Sequence, residues 1–375
     1  MEYVQDRIAT LHDLGGEPMA AGLEGDPVAE TAVVVPMTER EHESPAAARV
    51  LAELESLEPA AVVVPVRASA TRIEPFREWL ETFALPIEVL WCNAPPLEER
   101  LAEAGLAGET GKGRDVWLAL GPAAEAGEYV VVHDADARSY EADHVRRLLA
   151  PLTMDFAFSK GYYARVERGR LYGRLFRLFY EPLLRALSAR HDEPILEYCG
   201  AFRYALAGEF AMTADLAREL RPPRTWGLEV GTLGDAFDYA GFAGTAQVDL
   251  GVHEHDHRAV AGETGLEGMS RTVGAELLRV LENGGVDPDY ETLPGRYREI
   301  GRELIAQYRA DAAFNGLAYD PDRESAQLER YAAAIEPPGP DRRLPRWLDA
   351  PIDPETVRER ARPWHGPRVG SAGGD

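Results

Sequence analysis

Hydrophobic and polar positions follow two different rhythms in the first third of the chain. Short apolar runs rich in β-branched residues recur, and such runs are typical of strands buried on both faces of a parallel sheet. Longer stretches between them have the spacing of amphipathic helices, so the alternation predicts a doubly wound α/β domain. The predicted strands are 32–36, 61–66, 87–92 and 129–133, and the predicted helices are 45–57, 73–82, 97–104 and 114–126.

From residue 141 onward the pattern is mixed, and beyond Gly268 it is mainly helical. The predicted helices are 141–149, 170–187, 215–220, 230–239, 269–282, 289–308 and 323–335, and the predicted strands are 156–159, 202–206 and 245–252. The last segment is rich in Pro, Arg and Gly, which predicts an arm and a frayed tail. The chain is therefore divided into an N-terminal extension (1–28), an α/β domain (29–260), a helical segment (261–335) and the arm and tail (336–375).

Length and composition narrow the class of protein. The chain has 375 residues, 45% of them hydrophobic, which suffices for one large domain with a normal core and an appended helical segment. It contains no apolar run of about 18 residues, the length that a membrane helix needs, and its N-terminus lacks the pattern of a secretion signal. The two cysteines sit in apolar stretches and suggest no disulfide framework. These features predict a cytoplasmic protein without stable membrane association.

The formal net charge of −24 and the near absence of lysine indicate the salt concentration in which the protein works. Of 40 Lys and Arg residues, only Lys112 and Lys160 are lysines. An acidic, almost lysine-free surface predicts a protein that works in high salt, where a short screening length reduces self-repulsion. A surface for a basic partner is the alternative, but the acids are scattered over the whole chain. Nucleic acid is excluded as a partner, because phosphate backbones require a basic surface.

The strongest chemical signal is His133-Asp134-Ala135-Asp136, at the end of the fourth predicted strand. Ligands of such sheets bind outside the carboxyl ends of the strands. One carboxylate can hold a divalent cation, for which phosphates complete the coordination shell, while the other reaches the ribose of a nucleotide. The alternative is an acidic turn that caps the next helix.

Two further segments suggest anion binding. Gly111-Lys112-Gly113-Arg114 opens a predicted helix, where backbone amides and a lysine favour an anion, although the spacing is not that of a P-loop. A solvated glycine-rich turn is the alternative. Farther along, arginine side chains that match phosphate or carboxylate oxygens accumulate around a single acid, Glu167. This cluster comprises Lys160, Arg165, Arg168, Arg170, Arg174 and Arg177. It predicts an acceptor site, with an exposed helix face or an anionic membrane contact as alternatives.

Two more candidates come from the second half of the chain. His253, His255 and His257 alternate, so in an extended segment they share one face. They could bind zinc together, but a single histidine that completes the site of the Asp-bound metal is the simpler hypothesis, and a polar strand end is the alternative. Glu229 lies between glycines at a loop-to-helix junction. There it can orient or activate a hydroxyl group. The alternative is that its negative charge only stabilises the helix by interacting with the positive end of the helix dipole.

The order of these motifs resembles retaining GT-A glycosyltransferases of the glucosyl-3-phosphoglycerate synthase type and, more distantly, mannosyl-3-phosphoglycerate synthases. The resemblance spans roughly residues 30 to 285. Its most specific parts are the segment 206–211, which is similar to the family's Gly-Gly-Glu-Tyr, the segment 227–231, and the block from 248 to 271. The chain departs from the family pattern at Ala207, Phe210 and Phe176, where the family has glycine, tyrosine and an acceptor-binding threonine. These departures leave the identity of the acceptor open.

The resemblance implies a Rossmann-like GT-A domain over 29–260 and a metal-dependent transfer of a hexosyl group, in the family glucose from UDP-glucose, to a small phosphorylated acceptor such as 3-phosphoglycerate. It also implies a homodimer. It assigns donor binding to Pro36, Met37, Thr38, Glu39, Lys112, Asp134 and Ala135. It assigns acceptor binding to Lys160, Gly173, Arg174, Gly208 and Glu209. It assigns Mg²⁺ or Mn²⁺ to Asp136 and His255, and catalysis to Glu229 with Asp136.

Three rival functions stay open on the sequence alone. A glycosyltransferase acting on a lipid phosphate or another carboxylated acceptor uses the same donor half. A sugar-phosphate nucleotidyltransferase shares the α/β fold but needs a Gly-rich, Arg-containing loop after the first strand, where this chain has Pro36-Met37-Thr38-Glu39. A regulator that binds nucleotide sugars without turnover is the non-enzymatic alternative.

Overall fold

The computed structural model describes residues 5–14, 26–256, 263–362 and 364, with only the backbone of 263–267. The strands are β1 (Ala9–Leu11), β2 (Thr31–Val34), β3 (Met37–Thr38), β4 (Ala61–Arg67), β5 (Ile87–Trp91), β6 (Tyr129–Val132), β7 (Phe158–Ala164), β8 (Val166–Glu167), β9 (Arg170–Leu171), β10 (Phe210–Thr213) and β11 (Thr245–Val252). The α-helices are α1 (Pro45–Glu55), α2 (Ile73–Leu80), α3 (Pro95–Glu103), α4 (Lys112–Ala126), α5 (Asp143–Leu149), α6 (Glu181–Ser188), α7 (Pro194–Gly200), α8 (Ala214–Glu219), α9 (Leu228–Ala240), α10 (Glu263–Asn283), α11 (Leu293–Phe314), α12 (Pro321–Ala332) and α13 (Pro354–Ala361).

Within the described residues, nine strands form one sheet in the order β1-β11-β7-β10-β6-β2-β4-β3, with β5 also paired to β4. All pairings are parallel except those of β10, which runs antiparallel to both β6 and β7. In the centre, Val34 lies opposite Val132, so the carboxyl ends of β2 and β6 meet at one edge, and β4, paired with β2 through Val63, continues beyond them to Arg67. The predicted α/β class and the first four predicted strands are thus confirmed. The valine runs of β2, β4 and β6 are fully buried, as expected of a sheet covered on both faces.

Two predictions in the middle of the chain are wrong. Residues 202–206 form turns, and the strand lies a little further on, at β10, where a short apolar segment fits between β6 and β7. The predicted helix 170–187 begins too early, because Arg170 and Leu171 pair with β8 in a hairpin. Gly173 then adopts a positive φ of 73°, a conformation that favours glycine. After it the chain forms a π-helical turn, Phe176–Tyr180, which leads into α6.

Both ends of the described chain belong to the packed fold. Strand β1, inside the predicted N-terminal extension, pairs in parallel with β11. In the predicted arm, the rings of Trp347 and Trp117 stack with centroids 4.5 Å apart. The Trp347 indole donates to the carbonyl of Trp117, and the Trp117 indole donates to the carbonyl of Pro345, each at 2.8 Å. This tryptophan clasp fastens the arm to α4. Among the described residues, every helix is too short or too polar to cross a bilayer.

Candidate active site

A cavity of about 500 Å³ opens at the edge of the sheet where β2 and β6 end. Most residues that the sequence singled out line this cavity. They are Pro36, Met37, Thr38, Lys112, Asp134, Ala135, Asp136, Gly173, Arg174, Gly208, Glu229 and His255. Segments that are up to about two hundred residues apart in sequence therefore meet at one place, as the rule for parallel sheets predicts.

Three predicted residues lie outside the cavity wall. The carboxylate of Glu39 instead accepts hydrogen bonds from the backbone amide and hydroxyl of Ser69, at 3.0 and 2.9 Å. Lys160 is buried behind the wall, and its ammonium donates to the carbonyl of Ala207 at 2.5 Å. Glu209 is fully buried and lies 3.6 Å from His253. Lys160 and Glu209 therefore lie behind the residues that line the cavity.

Lys112 joins two carboxylates on the side of the cavity that is expected to bind the donor, here called the donor side. Its ammonium lies 2.6 Å from Asp134 Oδ1 and 2.8 Å from Glu229 Oε1. Burial alone would lower the pKa of Lys112, but the two carboxylates raise it. Burial raises the pKa of Asp134 despite the lysine. For Glu229, burial is outweighed by Lys112 and Lys160, and its pKa is lowered. Glu229 is therefore a carboxylate at neutral pH.

The geometry around Lys112 follows from tight backbone packing at the start of α4. The amide of Gly113 donates to the carbonyl of Thr225 at 3.2 Å, and the amide of Arg114 to that of Arg224 at 2.9 Å. A Cβ on Gly113 would lie 1.8 Å from the carbonyl oxygen of Pro223, so glycine is required there. Because the segment 223–225 leads directly into α9, this contact fixes Lys112 relative to Glu229.

Asp136 and His255 form the candidate metal centre. Asp136 Oδ1 and His255 Nδ1 are 3.2 Å apart, and the amide of Asp256 donates to the Asp136 carbonyl at 2.8 Å, which holds the two segments together. Burial would raise the pKa of Asp136 and lower that of His255, but the bond between them reverses both shifts.

The separation of these two side chains fits a divalent cation. Neighbouring ligands of an octahedral ion with bonds of about 2.1 Å lie about 3 Å apart. The described residues offer no group of three or more metal-ligating side chains, so such an ion would take its other ligands from substrate and water, as Mg²⁺ commonly does. His257, the third member of the histidine run, lies outside the described residues.

The arginine cluster divides into three groups in the structure. Arg165 and Arg174 line the cavity, whereas Arg168 and Arg170 are exposed on the β8–β9 hairpin. Arg177 is buried and lies 2.9 Å from Glu324 of α12, which also lies 3.5 Å from Arg174. Two of the six cations in the predicted cluster therefore face the cavity.

Several residues that complete the wall carry no signal in the sequence. Arg67, at the end of β4, lines the cavity and forms an ion pair with the buried Asp115. Tyr163 and Tyr204 contribute aromatic surface near Arg165, and Tyr331 reaches the wall from α12. A strand-end position could have drawn attention to Arg67, but nothing in the local pattern distinguishes Tyr331 from an ordinary buried helix residue.

The cavity has two electrostatic sides. On the donor side, Asp134, Asp136 and Glu229 surround the single ammonium of Lys112. This excess of negative charge suits a divalent cation that arrives with a nucleotide diphosphate. On the other side, the guanidinium groups of Arg165 and Arg174 suit a phosphate or carboxylate. The arrangement can hold a metal-bound diphosphate next to a small anion.

Comparison with known proteins connects this geometry to a family. No protein-family model matches the chain. A glucosyl-3-phosphoglycerate synthase of Methanococcoides burtonii is 33% identical over 389 residues, 96% of each chain. The enzyme of the same name from Persephonella marina is 34% identical over 322 residues, 81% of this chain and 80% of its own.

Solved structures of glucosyl-3-phosphoglycerate synthase from Mycobacterium tuberculosis have a similar fold. The complex with Mn²⁺, UDP-glucose and phosphoglyceric acid is 27% identical with a TM-score of 0.54, covering 75% of this chain and 89% of that one. The complex with Mn²⁺, UDP-glucose and glycerol 3-phosphate is 26% identical with a TM-score of 0.54, covering 76% and 90%. The expected GT-A architecture is confirmed by this likeness, and the chain belongs to the glucosyl-3-phosphoglycerate synthase family.

Proposed function

We propose that this protein transfers a glucosyl group from UDP-glucose to 3-phosphoglycerate, with retention of configuration and with Mg²⁺ or Mn²⁺ as cofactor. The observation that carries the proposal is the meeting of Asp136, His255 and Arg174 in one cavity. The relatives that share the family carry the name of this reaction. Solved neighbours hold Mn²⁺ or Mg²⁺ with UDP or UDP-glucose.

On the donor side, we assign the metal to Asp136 and His255, the ribose to Asp134, and the diphosphate to Lys112. When bound, the divalent ion supplies charge neutralisation for the leaving diphosphate. Lys112 adds a fixed positive charge beside it, and its ammonium stays protonated because two carboxylates raise its pKa. The segment from Pro36 to Thr38, which follows β2 at the same edge, forms the adjoining wall for the nucleotide.

On the acceptor side, Arg174 anchors the phosphate so that the acceptor hydroxyl is held against the donor sugar. Such positioning converts an encounter in solution into a reaction within one complex. Glu229 is held in place on the donor side by its contact with Lys112, and we assign it to the acceptor hydroxyl. A carboxylate with a lowered pKa is a weak base, so its main task is to orient the hydroxyl by accepting its hydrogen bond.

The remaining assignments are predictions that rest on composition and on the family. The excess of acidic residues predicts an enzyme adapted to high salt, and the family resemblance predicts a homodimer. A cytoplasmic location and a role in making a compatible solute agree with these properties. Light scattering in concentrated KCl measures the oligomeric state directly.

The decisive experiment is an incubation of the protein in high KCl with Mg²⁺, UDP-glucose and 3-phosphoglycerate, analysed by mass spectrometry. A product heavier than the acceptor by one hexosyl unit is expected, together with UDP. The same mixture without metal, and a mixture with the Asp136→Ala variant, serve as controls. A panel of other nucleotide sugars and other phosphorylated or carboxylated acceptors defines the specificity.

Other outcomes would favour the rival functions. Transfer to a lipid phosphate together with flotation on liposomes would indicate a membrane acceptor. Tight UDP-glucose binding without transfer and without slow donor hydrolysis would indicate a regulator. Formation of UDP-glucose from UTP and glucose 1-phosphate would indicate a nucleotidyltransferase. Each of these results would contradict the proposal.

A further inference from the structure

Lys160 is one of only two lysines in the chain, and the structure places it behind the wall of the cavity. Its side chain is 1% exposed, and its Nζ lies 4.9 Å from the ring centroid of Phe210. A buried ammonium is unfavourable unless fixed partners replace the water that it loses. The partners of Lys160 therefore indicate its role.

The ammonium of Lys160 holds the segment that leads into β10. Its Nζ donates to the carbonyl of Ala207 at 2.5 Å. Two residues further along, the amide of Gly161 in β7 donates to the carbonyl of Glu209 at 2.9 Å. This segment is thus fastened to β7 at two carbonyls, one of them by the backbone and the other by a charged side chain.

Gly208, which lies between these two carbonyls, packs directly against Asp134. A Cβ built on Gly208 would lie 2.2 Å from Asp134 Oδ2, so the backbone of Gly208 occupies the space next to the carboxylate. The other oxygen of Asp134 lies 2.6 Å from the ammonium of Lys112. The carboxylate is therefore held between Lys112 and the Gly208 backbone. A shift of Ala207 away from Lys160 would remove the second of these supports.

Charged groups from four other parts of the fold act on the Lys160 ammonium. They are the carboxylates of Glu229 in α9, Glu209 before β10 and Asp134 after β6, and the like charge of Lys112 in α4. Burial lowers the pKa of Lys160 to about 8, although the carboxylates oppose the shift. A buried lysine can lose its proton, whereas an arginine stays charged. Lys160 is therefore charged at neutral pH and becomes neutral in mildly alkaline solution.

We infer that Lys160 is a positioning residue for the donor, whose ammonium holds the Ala207 carbonyl and thereby keeps Gly208 against the carboxylate of Asp134. This inference rests on the proposed function, in which Asp134 binds the ribose of UDP-glucose. A charged ammonium donates a hydrogen bond about twice as strong as that of a neutral group. The support of Asp134 consequently weakens when Lys160 loses its proton.

The first test measures the Kd of UDP-glucose by calorimetry in high KCl with Mg²⁺ and without acceptor. For the wild type we expect the Kd to rise about fivefold between pH 7 and pH 9, because Lys160 loses its proton over this range. Lys112 stays protonated, since its two carboxylates raise its pKa. Lys160→Met, which removes the charge and keeps the length of the side chain, should have a Kd about tenfold above that of the wild type at pH 7. Its Kd should then be the same at pH 9.

A double variant separates positioning from a simple effect of charge on the donor. With native Gly208, Lys160→Met should lower kcat/KM for UDP-glucose about tenfold and leave the KM for 3-phosphoglycerate within about twofold. In Gly208→Ala the added Cβ already displaces Asp134. In that background the same substitution should lower kcat/KM by less than about twofold, because both changes act on one contact.

Ser159→Ala is the matched control. Ser159 precedes Lys160 in β7 and is fully buried, but it does not line the cavity. We expect this variant to bind UDP-glucose as the wild type does at pH 7 and at pH 9.

Three outcomes would overturn the inference. The first is a wild-type Kd that is the same at pH 7 and pH 9, and this measurement decides even if Lys160→Met does not fold. The second is an equal pH dependence in the wild type and Lys160→Met. The third is a tenfold loss in both backgrounds, which would show that the ammonium acts through its charge alone. If the wild type binds UDP-glucose but gives no product with 3-phosphoglycerate, the proposed function fails, and the binding test of Lys160 remains valid.

Discussion

The donor side and the acceptor side of the cavity are built in different ways. On the donor side, Pro36 and Asp134 directly follow parallel strands, so the sheet itself aligns them. On the acceptor side, Arg174 follows a hairpin and Tyr331 comes from a helix more than a hundred residues further along. The sheet edge thus carries the residues that we propose for donor binding, whereas turns and helices outside the sheet form the side that we propose for acceptor binding.

The two sides also differ in charge. The donor side carries three carboxylates around one lysine, and the acceptor side carries arginines balanced in part by Glu324. Variants on one side should therefore impair one substrate and leave the other almost unaffected.

Loss of the metal centre should abolish transfer. We expect Asp136→Ala to lower kcat by about 10³-fold, because the developing charge on the diphosphate loses its counter-ion. Chelation of the metal with EDTA should have the same effect on the wild type. Circular dichroism should show an intact fold.

Asp215→Ala provides the matched control, since Asp215 is exposed and pairs with Arg218 of the same helix. Its turnover should equal that of the wild type. Near-normal transfer by Asp136→Ala would remove Asp136 from the site and defeat the assignment.

A methyl group at Gly208 should damage the donor side. A Cβ there would lie 2.2 Å from Asp134 Oδ2, so Asp134 and its partner Lys112 must move. We expect Gly208→Ala to reduce kcat/KM for UDP-glucose roughly 100-fold, the typical result of misplacing a positioning group by about 1 Å. Steady-state kinetics with saturating acceptor measures this.

Gly200→Ala is the corresponding control, because a Cβ at Gly200 would meet no atom within 4 Å. That variant should retain wild-type kinetics. If Gly208→Ala binds UDP-glucose normally, the position of Asp134 does not matter for the donor.

Removal of the acceptor arginine should impair the acceptor alone. We expect Arg174→Ala to raise the KM for 3-phosphoglycerate by about 10 to 100-fold, the usual loss for a hydrogen bond to a charged group. Slow hydrolysis of UDP-glucose without acceptor should be unchanged, because the donor side is intact.

Arg185→Ala, which removes an exposed arginine paired with Glu181 on α6, should alter neither substrate. A joint rise of both KM values in Arg174→Ala would show that the two sides are not separable.

The smallest expected effect is on the pH dependence of the protein's stability, and it comes from a buried glutamate that lies behind the donor side. Glu276 of α10 packs against Gly227, just before Glu229, with a Cβ built at Gly227 only 3.1 Å away. Burial raises the pKa of Glu276 to about 7, although Arg343 and Arg279 oppose the shift. Between pH 4.5 and 7 the folded state then binds more protons than the unfolded state, so this group makes stability fall as the pH rises.

Glu276→Gln should remove this contribution. Its free energy of unfolding should decline less than that of the wild type between pH 5 and pH 8, by on the order of 2 kcal/mol. Urea titrations at both pH values give the difference, with Glu355→Gln on the exposed start of α13 as the control. An identical pH dependence in wild type and Glu276→Gln would contradict the raised pKa.

The donor side could be predicted from the sequence because its signals are local. Each valine run marks a buried strand, and the polar residues at its carboxyl end must lie at the sheet edge. Asp134 and Asp136 are predicted in this way, Lys112 is predicted from the start of the helix before that strand, and the structure brings the three together.

The acceptor side was predicted less well because its geometry depends on tertiary packing. Strand β10 is short, and its apolar residues are indistinguishable from those of the turn before it, so residues 202–206 were assigned to the wrong element. Arg168 and Arg174 belong to the same basic cluster, but only the hairpin decides that one faces solvent. No local pattern could show that α12 would place Tyr331 in the cavity wall.

The tryptophan clasp has a consequence for synthesis of the protein. Trp347 follows Trp117 by 230 residues, a delay of about 10 to 50 seconds at typical rates of translation. During that interval the face of α4 that includes Trp117 and Gly121 lacks its aromatic cover, since a Cβ on Gly121 would lie 2.6 Å from the Trp347 ring. A nascent chain in which α4 has already folded therefore exposes this apolar face. The face is covered only when Trp347 has been translated and packs against it.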